Sequence, residues 1–171
     1  MLGKLELNQY LIREKFWKFF GNKFRIMDEQ ENLYGFCEQK RFKLKEDLRV
    51  YDDEDKNNEW LMIKQKNVVD SWGGFDIFDP KTNEHLGTIR RKFWKSLFRT
   101  KWELLDSQGQ NIGVMQEDSL GYAIARRVFL AILPKKYTIS TIGNNHPITM
   151  RQKFNPIIRK LVVNIPPSHT F

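Results

Sequence analysis

The chain repeats itself. Five segments stack on one another: FRIMDEQENLYGFCEQK, LRVYDDEDKNNEWLMIKQK, FDIFDPKTNEHLGTIRRK, WELLDSQGQNIGVMQED and YTISTIGNNHPITMRQK. Each opens with a large side chain, then any residue, then an aliphatic one. The openers Phe24, Leu48, Phe75, Trp102 and Tyr137 are spaced 24, 27, 27 and 35 residues apart. Four copies place an aspartate two positions after the aliphatic residue, at Asp28, Asp52, Asp79 and Asp106, where a polar tip rich in Asn, Gln, Gly, Pro and Glu begins. An aspartate there accepts hydrogen bonds from turn N–H groups, and Asn or Gly tolerates the positive φ of tight hairpins. Beyond the tip apolar residues resume, as in Leu61-Met62-Ile63, and three copies then close on basic residues, at Lys66, Arg91-Lys92 and Lys153. Each copy therefore reads as a β-hairpin. The aspartates read as turn caps and not as a shared metal or catalytic set, because they sit at separate corners.

Five hairpins supply ten strands, and YLIREKFW before them with IIRKLVVNI after them raise the number to twelve. A meander of that length closes on itself, because closure removes exposed strand edges. The expected fold is mainly β, a closed antiparallel barrel of about 12 strands, forming a single domain over residues 1–171. The widened last spacing comes from DSLGYAIARRVFLAILP, where Tyr122, Ala125, Val128, Phe129 and Ile132 recur at helical intervals. This predicts one helical insertion, stopped by Pro134 and packed on the domain. Arg126 and Arg127 interrupt the apolar stretch, which is shorter than the roughly 20 residues that span a bilayer.

Cys37 is the only cysteine, so no internal disulfide can form, and the first residues lack the apolar run of a secretory signal. A reducing, cytoplasmic location is expected. The 29 Lys and Arg residues exceed the 21 acids for a net charge of +8, which favours anionic partners, either nucleic acid or the inner-leaflet membrane surface.

Catalytic signatures are missing. The sequence holds no glycine-rich phosphate loop, no G-x-S-x-G elbow and no H-E-x-x-H helix; His85, His146 and His169 lie isolated and read as surface loop residues. Cys37, on a hairpin strand, reads as a small core hydrophobe. The acidic tip DDEDKNNE puts Asp53, Asp55, Asn57 and Glu59 at alternate positions, as calcium loops do. Counted from Asp53, however, the positions that need glycine and a bidentate glutamate hold Asn58 and Lys64. No enzyme activity, metal or cofactor is expected.

The strongest candidate site is RRKFWKSLFRTKW. In it Arg90, Arg91, Lys92, Lys95, Arg99 and Lys101 interleave with Phe93, Trp94, Leu97 and Phe98. Basic heads can meet anionic phosphates while aromatic bodies lie in a membrane interface. A second basic run supplies Lys40, Arg41, Lys43 and Lys45 at the corresponding junction between the first two hairpins, which suggests a common barrel end. The plainer reading stands beside it: the aromatics turn inward as barrel plugs and the cations solvate the rim. The same cations could also hold nucleic-acid phosphates, although no RRM, KH or zinc-finger signature accompanies them.

The succession of YLIREKFW, the Asp-tipped hairpins, KTNEHLGTIRRKFWKSLFRTKWELLDSQGQNIGVMQEDS and KFNPIIRKLVVNI resembles the LURP-one-related family, grouped with phospholipid scramblases and tubby C-terminal domains. The resemblance covers most of the chain and implies a twelve-stranded barrel around a hydrophobic helix. Tubby domains bind phosphoinositide headgroups and scramblases act at membranes, but fold alone transfers neither role. This chain stops at NIPPSHTF, so the family's central C-terminal helix is expected to be missing: either the chain is shortened relative to its relatives, or another segment, residues 119–133 above all, substitutes as the plug, or the open lumen accepts a lipid tail or a partner's helix. The expected function is a peripheral adaptor binding anionic phospholipid headgroups, phosphoinositides among them. The alternatives are a nucleic-acid-binding module or a protein-interaction barrel with no charged ligand.

Overall fold

The computed structural model describes residues 7–17, 21–39, 47–66, 73–91, 101–117, 135–153 and 158–169. They form twelve strands: β1 (Gln9–Trp17), β2 (Gly21–Met27), β3 (Leu33–Gln39), β4 (Asp47–Tyr51), β5 (Glu59–Gln65), β6 (Gly74–Phe78), β7 (His85–Arg91), β8 (Lys101–Asp106), β9 (Asn111–Glu117), β10 (Lys136–Thr141), β11 (Ile148–Lys153) and β12 (Arg159–Asn164). Each pairs antiparallel with its neighbours in sequence, and β1 pairs with β12 to close the barrel. The expected twelve-stranded closed barrel is thus the fold. No helix occurs among the described residues, and the predicted helical insertion, at 118–134, lies outside them.

The repeat has a geometric meaning beyond the hairpin. In four copies the register slips at one equivalent place, between Ile26/Met27, Val50/Tyr51, Ile77/Phe78 and Leu104/Leu105. Each slip leaves one extra residue on the returning strand: Tyr34, Trp60, Leu86 or Ile112. Such bulges raise the local twist, which helps a sheet curl into a barrel. In three copies a glycine follows the extra residue. At Gly113 a Cβ would stand 2.7 Å from the Ser140 carbonyl oxygen, closer than real side chains come, so the next strand can approach only a glycine.

The aspartates cap the turns. Asp28, Asp52, Asp79 and Asp106 each donate their N–H to a carbonyl across the turn, at Asn32, Asn58, Glu84 and Gln110. Their carboxylates accept from inside it. Asp106 Oδ1 takes the N–H groups of Gln108 and Gln110 at 2.9 and 2.8 Å, and Asp28 Oδ1 takes that of Asn32 at 2.8 Å. Side-chain and backbone contacts with Asn32 outweigh desolvation and hold the Asp28 carboxyl below its ordinary value. The turns need left-handed backbone at Glu31, Lys56, Asn83 and Gly109, with φ of 63°, 61°, 57° and 81°.

Strand alternation sorts side chains onto two faces. One face carries Ile12, Phe24, Ile26, Leu48, Ile63, Ile77, Ile89, Leu104, Met115, Ile139 and Val163 in connected register, and this apolar set lines the interior. At the end where the hairpins turn, Tyr10, Ile148 and Ile165 form a buried cluster against Leu7, Ile26, Tyr34, Ile139 and Val163. The segment after β12 folds over that end. Ile165 N–H donates to the Asn8 carbonyl at 2.7 Å, and buried His169 contacts the His146 carbonyl oxygen through Nδ1 at 3.1 Å. The expectation that all three histidines are surface loop residues therefore fails for His169. It also fails for His85, which begins β7 and packs against the Phe78 ring with centroids 5.4 Å apart. His169 is drawn in by residues distant in sequence, which a local reading does not see, and His85 by the strand it faces in its own hairpin.

Candidate functional site

An up-and-down barrel has two chemically separate ends. One holds the five hairpin turns. The other holds the strand ends joined by residues 18–20, 40–46, 67–72, 92–100, 118–134 and 154–157. The two basic runs of the sequence fall in residues 40–46 and 92–100, so both connect strands at this second end, the link end. Along the inner face the apolar rows turn polar there, at Glu14, Asn22, Gln39, Gln65, Arg91, Glu117, Gln152 and Arg159.

Three of the predicted site residues are described. Arg90 points outward from β7 and its guanidinium lies 2.9 Å from Glu103 Oε2, a carboxylate only 7 % exposed in its side chain, so this cation neutralises a covered acid. Arg91 is exposed on the opposite face of the same strand, 6.0 Å from the Trp102 ring centroid, and donates its N–H to the Gly73 carbonyl at 3.1 Å. Lys101 opens β8 on the outer face, opposite Gln116. The other predicted residues, Lys92, Phe93, Trp94, Lys95, Leu97, Phe98, Arg99, Lys40, Arg41, Lys43 and Lys45, lie outside the described residues.

Charge pairing divides the outer wall in two. From β2 to β8 cations and acids alternate. Arg25 holds Glu54 at 2.6 Å, Arg49 holds Glu59 at 3.0 Å, Lys66 holds Asp76 at 3.2 Å, and Lys56 meets Glu38. The β4–β5 turn thereby leans over β2 and β3, and Lys23 and Lys56 flank the ring of Phe36, which is only 1 % exposed. From β9 to β12 the outward residues change character: Val114, Gln116, Lys136, Thr138, Ser140, Thr149, Arg151, Lys153, Lys160, Val162 and Asn164 include no acid. The cations here were not singled out by sequence reading. They occur as single residues or short pairs on strands 136, 151–153 and 159–160, and only the register unites them.

The remaining ionisable groups favour structure over catalysis. Desolvation pushes the buried Cys37 thiol up to about 11, so it is not a thiolate near neutral pH. Asp76 accepts the buried Thr88 hydroxyl at 2.6 Å and lies 3.4 Å from His85 Nε2, so the Thr88 hydroxyl proton is committed to a carboxylate. Among the described residues no group of His, Cys, Asp and Glu is placed to hold a metal ion.

Compared with family models, the chain matches that of the LURP-one-related proteins over residues 8–165, from the residue before β1 to the one after β12. The chain belongs to the LURP-one-related family. Its family is one of tubby-like β-barrels, in agreement with the twelve-stranded closure found here. No curated protein matches this LURP-one-related chain.

Proposed function

We propose that this LURP-one-related barrel is a non-enzymatic peripheral protein that presents its link end to anionic phospholipid headgroups. One observation carries the reading: charge is separated along the barrel axis. The turns hold Asp28, Glu29, Glu31, Asp52, Asp53, Glu54, Asp55, Asp79, Glu84 and Asp106, against the cations Lys56 and Lys81. The strand ends on the opposite rim carry the cations Arg91, Lys101, Lys135, Lys136, Lys153, Arg159 and Lys160 against the acids Glu14, Asp47 and Glu117, and the basic-aromatic runs 40–46 and 92–100 join strands there. A body polarised in this way is oriented by an anionic surface with its basic end inward. Each cation near such a surface contributes about 1 kcal/mol, and neighbouring aromatics supply interfacial anchoring. A cytoplasmic location and the choice among headgroups belong to the same proposal.

Vesicle co-sedimentation tests it. Phosphatidylserine and phosphoinositide vesicles should pellet the protein, neutral vesicles should not, and added salt should weaken the effect. The variant Arg91→Glu with Lys95→Glu and Lys101→Glu should stay in the supernatant. Unchanged pelleting by that variant removes the rim from the proposal. Preferential binding of DNA or RNA at matched salt would assign the cations to nucleic acid instead.

A further inference from the structure

The barrel is covered better outside than inside. Among the described residues the fully covered large side chain is Phe36, 1 % exposed, and it faces outward on β3, opposite Arg25 and Tyr51. Phe24, Ile63, Ile89, Leu104 and Met115 face inward along the middle of their strands, and each is only half-buried. A protein interior packs as densely as an organic crystal and leaves few voids, so side chains in a filled core would be covered. Twelve strands explain the shortfall. About eight enclose a space that side chains alone can fill, and a wider tube leaves room along its axis.

That room is closed at one end and polar at the other. At the turn end Tyr10, Ile148 and Ile165 are buried against one another, and the Tyr10 and Tyr34 rings meet edge to face with centroids 5.6 Å apart. At the link end the inner rows finish in amides and in four charged groups. Glu14 lies 3.6 Å from Arg159, and Glu117 is engaged. Arg91 differs. It is exposed and forms no ion pair among the described residues, and its guanidinium stands 6.0 Å from the Trp102 ring centroid. Trp102 lies against Phe75 with centroids 6.3 Å apart, and both rings face inward and are half-buried. An apolar collar thus sits directly beneath a cation that no acid neutralises. Apolar walls with a few placed polar groups, in the mouth of a barrel, are what small-molecule sites are built from.

We infer that the barrel interior is a binding site for a single-chain fatty carboxylate, with its tail along the inner apolar rows and its carboxylate on Arg91. A tube closed at one end takes an apolar chain and leaves the polar end at the mouth, and a guanidinium there binds a carboxylate by charge-assisted hydrogen bonds that a neutral ester cannot match. The site lies inside the wall and does not rest on the contact of the rim with a membrane.

Calorimetry on the delipidated whole chain tests this with three probes: laurate, its neutral glycerol ester monolaurin, and octanoate. Laurate should bind as a single molecule per chain, and octanoate more weakly, because a shorter tail covers less of the lining. Arg91→Gln should weaken laurate about tenfold, the loss of roughly one charge-assisted hydrogen bond, and leave the weaker binding of monolaurin unchanged. Ile63→Trp and Met115→Trp occupy the space of the tail, so each should abolish laurate binding while melting no lower than wild type without ligand. Arg151→Gln removes a cation from the outer face of β11 and should bind laurate as wild type does. An unchanged circular-dichroism spectrum confirms the folding of each variant. Wild-type failure to bind laurate, equal affinity for monolaurin, or unchanged laurate affinity in the tryptophan variants would overturn the site. Tryptophan variants that melt well below wild type would also overturn it, since overpacking is costly only where the interior is already full. Laurate binding by a chain that pellets with no vesicle supports the interior site and removes the rim reading alone.

Discussion

Gly87 faces the Leu105 carbonyl so closely that a Cβ built on it would stand 2.5 Å from the oxygen. The contact sits beside the β6–β7 bulge, where the barrel bends, and the neighbour is backbone, which cannot swing aside. Gly87→Ala should therefore destabilise the barrel by about 1–3 kcal/mol, as overpacking does. Gly74→Ala is the control, because its nearest neighbour would be 3.5 Å away. Urea denaturation of the two variants measures the difference; equal midpoints would show that the strands can part at Gly87 without cost.

Asp106 binds two turn N–H groups through one carboxylate oxygen. Replacing it with alanine should lower stability by about 1 kcal/mol, the scale of a net hydrogen bond, because water replaces part of what is lost at an exposed turn. Vesicle binding should not change. A selective loss of binding in Asp106→Ala would give the turn a role in ligand recognition.

Asp76 governs a pH response. Burial raises its carboxyl pKa, but hydrogen bonds from Thr88 and Lys66 and the charges of Lys66 and His85 outweigh this and leave it below 3.8. A depressed folded-state pKa contributes stability that is present above the unfolded value and is lost as pH falls through the folded one. The native barrel should thus lose stability below about pH 4, and Asp76→Asn should lose less over that range. Thermal melts across pH 2–6 compare them. Parallel curves would mean that other carboxylates dominate.

The like charges opposed across β10, β11 and β12 should show in stability. Lys153→Gln relieves repulsion with Lys160 but also removes the weaker attraction of Lys153 to Glu31, and should stabilise the fold by a few tenths of a kcal/mol, about half at most, at low salt. Added salt should stabilise wild type more than the variant, since it screens the same repulsion. A destabilised Lys153→Gln would mean that the lysine packs a role its exposure does not suggest.

What the sequence determined was everything with a short range. Residues two apart on a strand share a face whatever the rest of the chain does, and an aspartate caps its own turn; so the hairpins, the strand number and the capping role of Asp28, Asp52, Asp79 and Asp106 were legible, and closure followed from the cost of open edges. The succession of motifs also carried the family. The tertiary structure decided what depends on register between distant strands. It tied Arg90 to the covered Glu103, drew His169 into the turn end, and set Gly87 against the Leu105 carbonyl. It also brought Lys136, Arg151, Lys153 and Lys160 together. Each is an ordinary strand cation on its own, and their repulsion exists only because pairing in the closed barrel sets them side by side.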